Sequence, residues 1–319
     1  MATISVFPLA ESLPFGARVV GVDLAALEDE GLREELRTLF EERGLILFEV
    51  EEPSQALHVA LSNVFGPLKE HPVPTVARVD PEHLPGVIDM VHDPATAGIW
   101  EVEGRVVSSW LPWHFDHCYN DELNRAGVLR AIDIPPEGGL TGFADGVQLY
   151  RDLDPALRER IAGQRVLYTL DMRYTHMRFG RPPAFREIRP MPGHLELLDY
   201  ARSLPRAVHP AVWTRPDGTP VLHVSPWMAV GLEGAENPEG DALLEAVCQQ
   251  IRTRAQAYWH RWRPGDFLIW DNWRFLHAVS GHPPEAPRRM QRTTIRGDYG
   301  LGYFECGARG HRLQAELEV

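Results

Sequence analysis

Cysteine is scarce. Cys118, Cys248 and Cys306 are the three thiols in 319 residues, odd in number, scattered, and without a CxxC pair. A disulfide framework or a thiolate zinc site is therefore not what organises this chain. Long apolar runs are missing too: nothing approaches the roughly 18 uninterrupted apolar residues of a membrane span. The opening "MATISVFPLAESLPF" has no basic stretch leading into an apolar one, so no signal peptide is expected and the expected compartment is cytoplasmic. No block of lysine or arginine occurs, and the net charge is −13. That balance disfavours nucleic acid or an anionic membrane as partner. Also absent are a glycine-rich strand-to-helix turn, a Walker-type phosphate loop and any repeat of 20–50 residues. What remains is an acidic globular protein whose 44% apolar residues suffice for a substantial core.

Periodicity gives a coarse outline. "ARVVGVDLAAL" reads as a short strand and turn, and "DEGLREELRTLFEERG" as a helix with Leu32, Leu36, Leu39 and Phe40 on one stripe, stopped at Gly44. "LILFEV" is a buried strand, and Ser54 caps a helix over "QALHVALSNVF" that Gly66 ends. Residues 67 to about 112 read as loop-rich and proline-rich, with no clear period. "VLRAIDI" is strand-like, and "PPEGGLTGF" is a turn leading into a strand. "DPALRERIAG" is a helix with Asp154 as cap and Pro155 in its first turn. The proline-rich stretch 181–193 reads as a surface excursion. "GDALLEAVCQQIRTRAQAYW" is the longest helical pattern, with Leu244, Val247, Ile251, Ala255 and Tyr258 near one face. "DFLIWDN" and "RTTIRGDYG" are strands. No linker divides the chain, so the expectation is one mainly β domain over 1–319, a sandwich or jelly roll with peripheral helices. It has a helical N-terminal region, an excursion around 172–215 and a frayed tail at 307–319.

Chemistry concentrates in "SSWLPWHFDHCYND". Along an extended strand His114 and Asp116 share a face and His117 takes the other. An imidazole and a carboxylate side by side supply two ligands to a divalent metal. A histidine from another strand would complete a two-histidine, one-carboxylate face with open positions, the arrangement of non-haem Fe(II) oxygenases. Alone, His-x-Asp is as readily a satisfied polar pair. A second stretch, "PGDFLIWDNWRFLHAVSGHPPEAPRRMQRTTIRGD", supplies an apolar strand, then His277, then an arginine-rich strand.

Together the two stretches resemble the Fe(II)/2-oxoglutarate-dependent dioxygenases of the taurine and 2,4-dichlorophenoxyacetate branch. The resemblance runs through "GARVVGVDL", "NVFGPLKEHP", "WHFDHCY", "PPEGGLTGFAD", "WDNWRFLHAV" and "RRMQRTTIRGD". It implies a double-stranded β-helix (jelly-roll) core with Fe(II), 2-oxoglutarate and O2 as the reacting set. His114, Asp116 and His277 match the family's iron ligands. Arg288, eleven residues after His277, matches the arginine that grips the distal carboxylate of 2-oxoglutarate, and Thr141 the threonine that hydrogen-bonds it. A planar guanidinium suits that task because its fork makes two parallel charge-assisted bonds. Arg289, of opposite strand parity, is expected at the surface. Cys118 falls on the ligand-facing side if the strand extends that far. Related halogenases replace the ligand carboxylate with a small residue, so the retained Asp116 implies oxidation rather than halogenation.

By the same resemblance His71 and Arg292 hold the anionic head of the primary substrate. Trp110 stands where the taurine enzyme has an asparagine, and Pro74 where it has a tyrosine; Trp227 occupies an aromatic position near the pocket. Trp110 and Trp227 suit an apolar or aromatic body better than an aminosulfonate. The implied reaction hydroxylates a small organic acid, with or without bond cleavage, and releases succinate and CO2. Two alternatives stay open at this point: a desaturating or ring-closing 2-oxoglutarate oxygenase, and a metal-binding cupin-like protein outside oxygenase chemistry. Relatives of this kind are often dimers or tetramers, so a homo-oligomer is expected.

Overall fold

Asp29 accepts hydrogen bonds from the amides of Gly31 and Leu32 and opens the helix Glu30–Arg43. Gly44, at φ 69°, closes it in the left-handed conformation that costs glycine nothing. The computed structural model describes residues 4–70, 77–80, 82–191 and 205–305. Ser54 caps Gln55–Phe65 through the amide of Leu57, and Asp154 caps Pro155–Ile161. These starts fall where the side-chain oxygens predict them. The longest helix, Pro238–Arg254, is capped by Asn237 and stops short of the expected end. Tyr258 belongs instead to the strand Tyr258–His260, which pairs with Phe143 and its neighbours. Apolar residues of a following strand had continued the helical spacing by coincidence.

Three larger sheets form among the described residues. The first has eight strands, in spatial order Ser5–Pro8, Ala17–Val20, Leu45–Glu49, Asp266–Asp271, Ala126–Asp133, Arg289–Ile295, Leu84–Val91 and Arg78–Asp80. The second has six: Phe185–Arg189, Ile99–Val102, Arg105–His114, Phe275–His282, Thr141–Asp145 and Tyr258–His260. A third joins Ala229–Leu232, Arg165–Tyr168, Ala207–Pro210 and Tyr303–Phe304. Pairing is antiparallel throughout these ladders except between Ala17–Val20 and Leu45–Glu49.

Leu129, Leu268, Trp270 and Met290 of the first sheet pack against Phe143 and Phe275 of the second. On the outer side of the first sheet, Leu36, Phe40, Leu57 and Leu61 of the two N-terminal helices cover Phe48, Val128, Phe267 and Ile269. Val247 and Ile251 of the longest helix join a third cluster with Leu276, Ala278 and Trp113. The architecture is thus mainly β with helices outside.

Two expectations need correction. Residues 67–112 are not loop-rich: they hold the strands Arg78–Asp80, Leu84–Val91, Ile99–Val102 and Arg105–His114. Some are too short to show a period, and Pro112 sits where the ladder itself is irregular. The excursion at 172–215 is also partly built in, since Phe185–Arg189 pairs with Ile99–Val102 and Ala207–Pro210 with Arg165–Tyr168. The expected frayed tail at 307–319 lies outside the described residues.

Candidate metal and co-substrate site

The second sheet sets two imidazoles side by side, their planes tilted by 45°. His114, last residue of its strand, is the register partner of His277 on the adjacent strand, with ring centroids 4.0 Å apart. Asp116 Oδ1 lies 3.6 Å from His277 Nε2 and 4.0 Å from His114 Nε2. One ligand atom from each of the three falls within 4.8 Å of the others, and all three residues are buried. Among the described residues this is the one such grouping found.

The strand does not continue to Asp116, contrary to the parity argument. It ends at His114, residues 116–119 form a turn, and His117 takes φ 60°. Asn272 is what aims Asp116. Its Oδ1 accepts from the Asp116 amide at 2.8 Å, and its Nδ2 donates to the Asp116 carbonyl and to both oxygens of Asn124 at 3.2 Å. The sequence holds a faint sign of this residue, a polar Asp-Asn ending an otherwise apolar strand, but nothing there says which backbone it would bind. Asn272→Ala strands the buried Asp116 amide, which costs about 1–3 kcal/mol, and frees the turn. Urea denaturation is expected to show that loss, and titration with Mn(II) a weaker metal affinity; unchanged metal binding would show that the clamp is not needed.

More histidines brace the turn from behind. His223 stacks on Phe115 with centroids 3.8 Å apart and donates from Nε2 to the Asn272 carbonyl at 2.9 Å. His209 donates from Nε2 to the Asn120 carbonyl at 2.7 Å. Burial drives their pKa values down, to about 3 for His223 and about 4 for His209, and His58 beneath the N-terminal helices to about 3. Each is neutral when folded and protonates near 6.5 when unfolded. Depressed folded values mean that this stability is present above pH 6.5 and is lost as pH falls toward the folded pKa. Three such groups give a slope of about 4 kcal/mol per pH unit around pH 5. Thermal melts of the metal-free protein from pH 8 to pH 4.5 are expected to fall steeply below 6.5; a flat profile would contradict the assignment.

The electrostatics favour metal ligation. Burial lowers the His114 and His277 pKa values, with His114 adding to the shift at His277 and Asp116 opposing both. Both rings are neutral at pH 7, the form that ligates. His114 Nδ1 donates to the Pro112 carbonyl at 2.8 Å, which leaves the Nε2 lone pair pointing inward. The His277 ring is fixed by packing against Trp270 and Phe143. Burial alone would raise the Asp116 pKa, but Arg292 and the imidazoles outweigh it and hold the carboxyl far below its usual range.

Arg292 is engaged by the protein itself, so a ligand would have to share it, although its Nε is buried without a hydrogen-bond partner among the described residues. Its fork is spent on Asp116, Nη1 to Oδ1 at 3.1 Å and Nη2 to Oδ2 at 2.5 Å. A buried carboxylate between two neutral rings needs a counter-charge, and this guanidinium supplies it. Arg288 is the opposite case. Its Nε is sealed from solvent with no hydrogen-bond partner among the described residues, and burial lowers its pKa to about 10, so it stays charged at neutral pH. Gly139, at φ 65°, lies beneath it; a Cβ there would sit 3.6 Å from the Nε and 2.6 Å from Pro135 Cγ. Arg289 pairs with Asp89 on the other side, as expected. Thr141, first residue of its strand, is buried and accepts a hydrogen bond from Trp262 Nε1 at 3.0 Å.

The tryptophans divide. Trp227 stands edge-to-face against His114 at 5.1 Å and donates its indole N–H to the Asp171 carbonyl. A cleft of about 440 Å³, lined by Met177, Arg178 and Met228 among others, opens along Trp227. Trp110 packs on Tyr174 and Phe185 and meets Trp227 only through Tyr174. Cys118 faces Met228 sulfur at 3.8 Å, a packing contact, because the strand that would have turned it inward has ended. His71 and Pro74 lie outside the described residues.

The sequence pattern of the family described as "Taurine catabolism dioxygenase TauD, TfdA family" matches residues 5–294. The chain belongs to this family. As a TauD/TfdA-family dioxygenase it is an oxidoreductase that uses Fe(II), 2-oxoglutarate and O2, which sets aside the cupin-like reading outside oxygenase chemistry. It is 27% identical over 291 residues to the (S)-phenoxypropionate/alpha-ketoglutarate-dioxygenase of Sphingobium herbicidovorans, covering 89% of this chain and 92% of that one. It is 25% identical over 285 residues to pentalenolactone F synthase of Streptomyces arenae, covering 88% and 92%. The crystal structure of AAD-2 in complex with Mn(II) and N-oxalylglycine shares the fold, with a TM-score of 0.69 at 20% identity over 94% of this chain and 99% of that one. No helix among the described residues of this TauD/TfdA-family chain is long and apolar enough to cross a membrane.

Proposed function

We propose that this chain hydroxylates a small organic anion with an apolar or aromatic body, on a double-stranded β-helix core, with His114, Asp116 and His277 holding Fe(II). The convergence of three buried ligand atoms within 4.8 Å carries this reading. Two neutral imidazoles and one ionised carboxylate are a donor set that fits Fe(II) and leaves positions for other ligands. Fe(II) held there supplies dioxygen activation coupled to the oxidative decarboxylation of 2-oxoglutarate to succinate and CO2.

The protein's own part is placement. Arg288 is a charged group whose Nε has no partner among the described residues, which suits the distal carboxylate of 2-oxoglutarate, and Thr141 adds a hydroxyl two residues beyond Gly139, which lies against that Nε. Trp227 presents an aromatic wall against His114, so a flat or branched body can rest there while its anionic head shares the Arg292 guanidinium with Asp116. His71 is the second candidate for that head. Trp110 stands one ring farther out and acts on the pocket through Tyr174. The kinship with a phenoxypropionate dioxygenase favours aryloxy acids.

Anaerobic titration of the metal-free protein with Fe(II) and 2-oxoglutarate is expected to give a weak visible charge-transfer band. Succinate release should then be stimulated by aryloxy or alkyl acids more than by sulfonates; stimulation by sulfonates alone would overturn the substrate class. The kinship with pentalenolactone F synthase keeps a biosynthetic oxidation as the second reading. Product mass separates the two, since hydroxylation adds one oxygen, or beside an ether oxygen collapses to a phenol and an oxo acid, while desaturation or ring closure removes two hydrogens.

A further inference from the structure

Trp262 lies in the turn between the strands Tyr258–His260 and Asp266–Asp271, and its role is not evident from the sequence. The indole is buried among Phe143, Trp270 and Met290, and its Nε1 lies 3.0 Å from Thr141 Oγ1. Its ring is held edge-to-face against His260 at 4.6 Å. His260 is itself held by Nδ1, bonded to the Tyr258 hydroxyl at 2.9 Å, with Asp266 Oδ2 3.0 Å from its Nε2 but outside hydrogen-bond geometry. Thr141 is equally constrained, because its backbone is a register partner of His260 on one side and of Val279 on the other.

An indole N–H donates and cannot accept. The Thr141 oxygen must therefore be the acceptor, and its single proton has to be delivered to some other group. No acceptor for that proton occurs among the hydrogen bonds of the described residues. Two residues upstream, Gly139 lies beneath the unpartnered Arg288 Nε. A hydroxyl with its lone pair occupied and its proton free, set near an unpaired guanidinium, is arranged to donate to an anion.

We propose that Trp262 is a positioning residue for the co-substrate: by donating to Thr141 it turns the threonine hydroxyl proton toward the distal carboxylate of 2-oxoglutarate beside Arg288. Without the indole the hydroxyl is free to rotate and to spend its proton on a strand carbonyl, and the carboxylate loses an oriented donor. The inference rests on the co-substrate role proposed for Thr141, and the test separates the two.

2-Oxoglutarate binding to the Mn(II)-loaded protein is measured by anaerobic calorimetry for the parent, Thr141→Val, Trp262→Phe and the double variant. Trp262→Phe is expected to weaken 2-oxoglutarate binding five- to tenfold while leaving Mn(II) affinity unchanged. In the Thr141→Val background the same replacement should change binding less than twofold, a coupling that a merely structural tryptophan would not show. If Thr141→Val binds 2-oxoglutarate normally, the threonine's role fails and this inference with it. If Thr141→Val is impaired but Trp262→Phe is not, or if the two effects simply multiply, the threonine stands and the tryptophan is only packing. Should Trp262→Phe not fold, Trp262→His restores a ring N–H, and its failure to hold 2-oxoglutarate better than Trp262→Ala would count against the inference in the same way.

Discussion

Arg292→Ala is expected to destabilise the metal-free protein by about 3–5 kcal/mol, and most of that loss should vanish once metal is bound. The first half follows from the pair that is broken. Asp116 is buried and receives both nitrogens of the guanidinium fork, so truncating the arginine leaves an uncompensated buried charge. The second half follows from what replaces it. A divalent ion between His114, His277 and Asp116 brings its own positive charge to the same carboxylate, so the variant regains a counter-charge that the parent already had. Melts of the apo and Mn(II)-loaded forms check this directly. An equal loss in both would mean that Arg292 supports the fold rather than the carboxylate. Turnover is expected to fall as well, by about 10²–10³ in kcat/KM, since the anionic head of the substrate loses its partner. Mn(II) affinity should rise by a matching factor of about 10²–10³, because the loss that metal cancels reappears as binding energy.

Arg288→Leu should behave in the reverse sense. Its guanidinium has a sealed, unpartnered Nε and a pKa pushed down to about 10, so the metal-free protein carries a buried charge for no structural return. Removing it is expected to leave the apo melting temperature unchanged or higher, as when a buried ionic group gives way to an apolar one of similar size. Co-substrate binding should suffer most, because 2-oxoglutarate would place its own carboxylate in the vacated, partnerless site. The expected loss is about 2–5 kcal/mol, or 30- to several-thousand-fold in 2-oxoglutarate affinity. Calorimetry on the Mn(II)-loaded protein measures it. A variant that destabilises the apo form while binding 2-oxoglutarate normally would place Arg288 among structural residues.

The contrast between these two arginines shows where reading a sequence succeeds and where it stops. The family resemblance pointed to both, and of the adjacent pair it is Arg289, first residue of its strand, that binds Asp89, while Arg288 just precedes the strand. What Arg292 touches is not local, since Asp116 lies 176 positions away. Helix caps at Ser54 and Asp154 were readable for the same reason that Asn272 was not. A cap binds amides two or three residues ahead, whereas Asn272 binds a turn 156 residues distant. Parity also failed where the strand ended: the turn after His114 made Asp116 arrive by a route that alternation did not describe.

The separation of charge between surface and interior has a kinetic side. With a formal −13 overall and the Arg288 Nε and the Arg292 fork sealed inside, an approaching anion meets net repulsion first and these two attractions only at the end of its path. Dissolved electrolyte weakens the outer field within about 8–10 Å but reaches poorly into a dry recess. Arrival and retention are therefore governed by different charges, and salt eases the first while hardly touching the second.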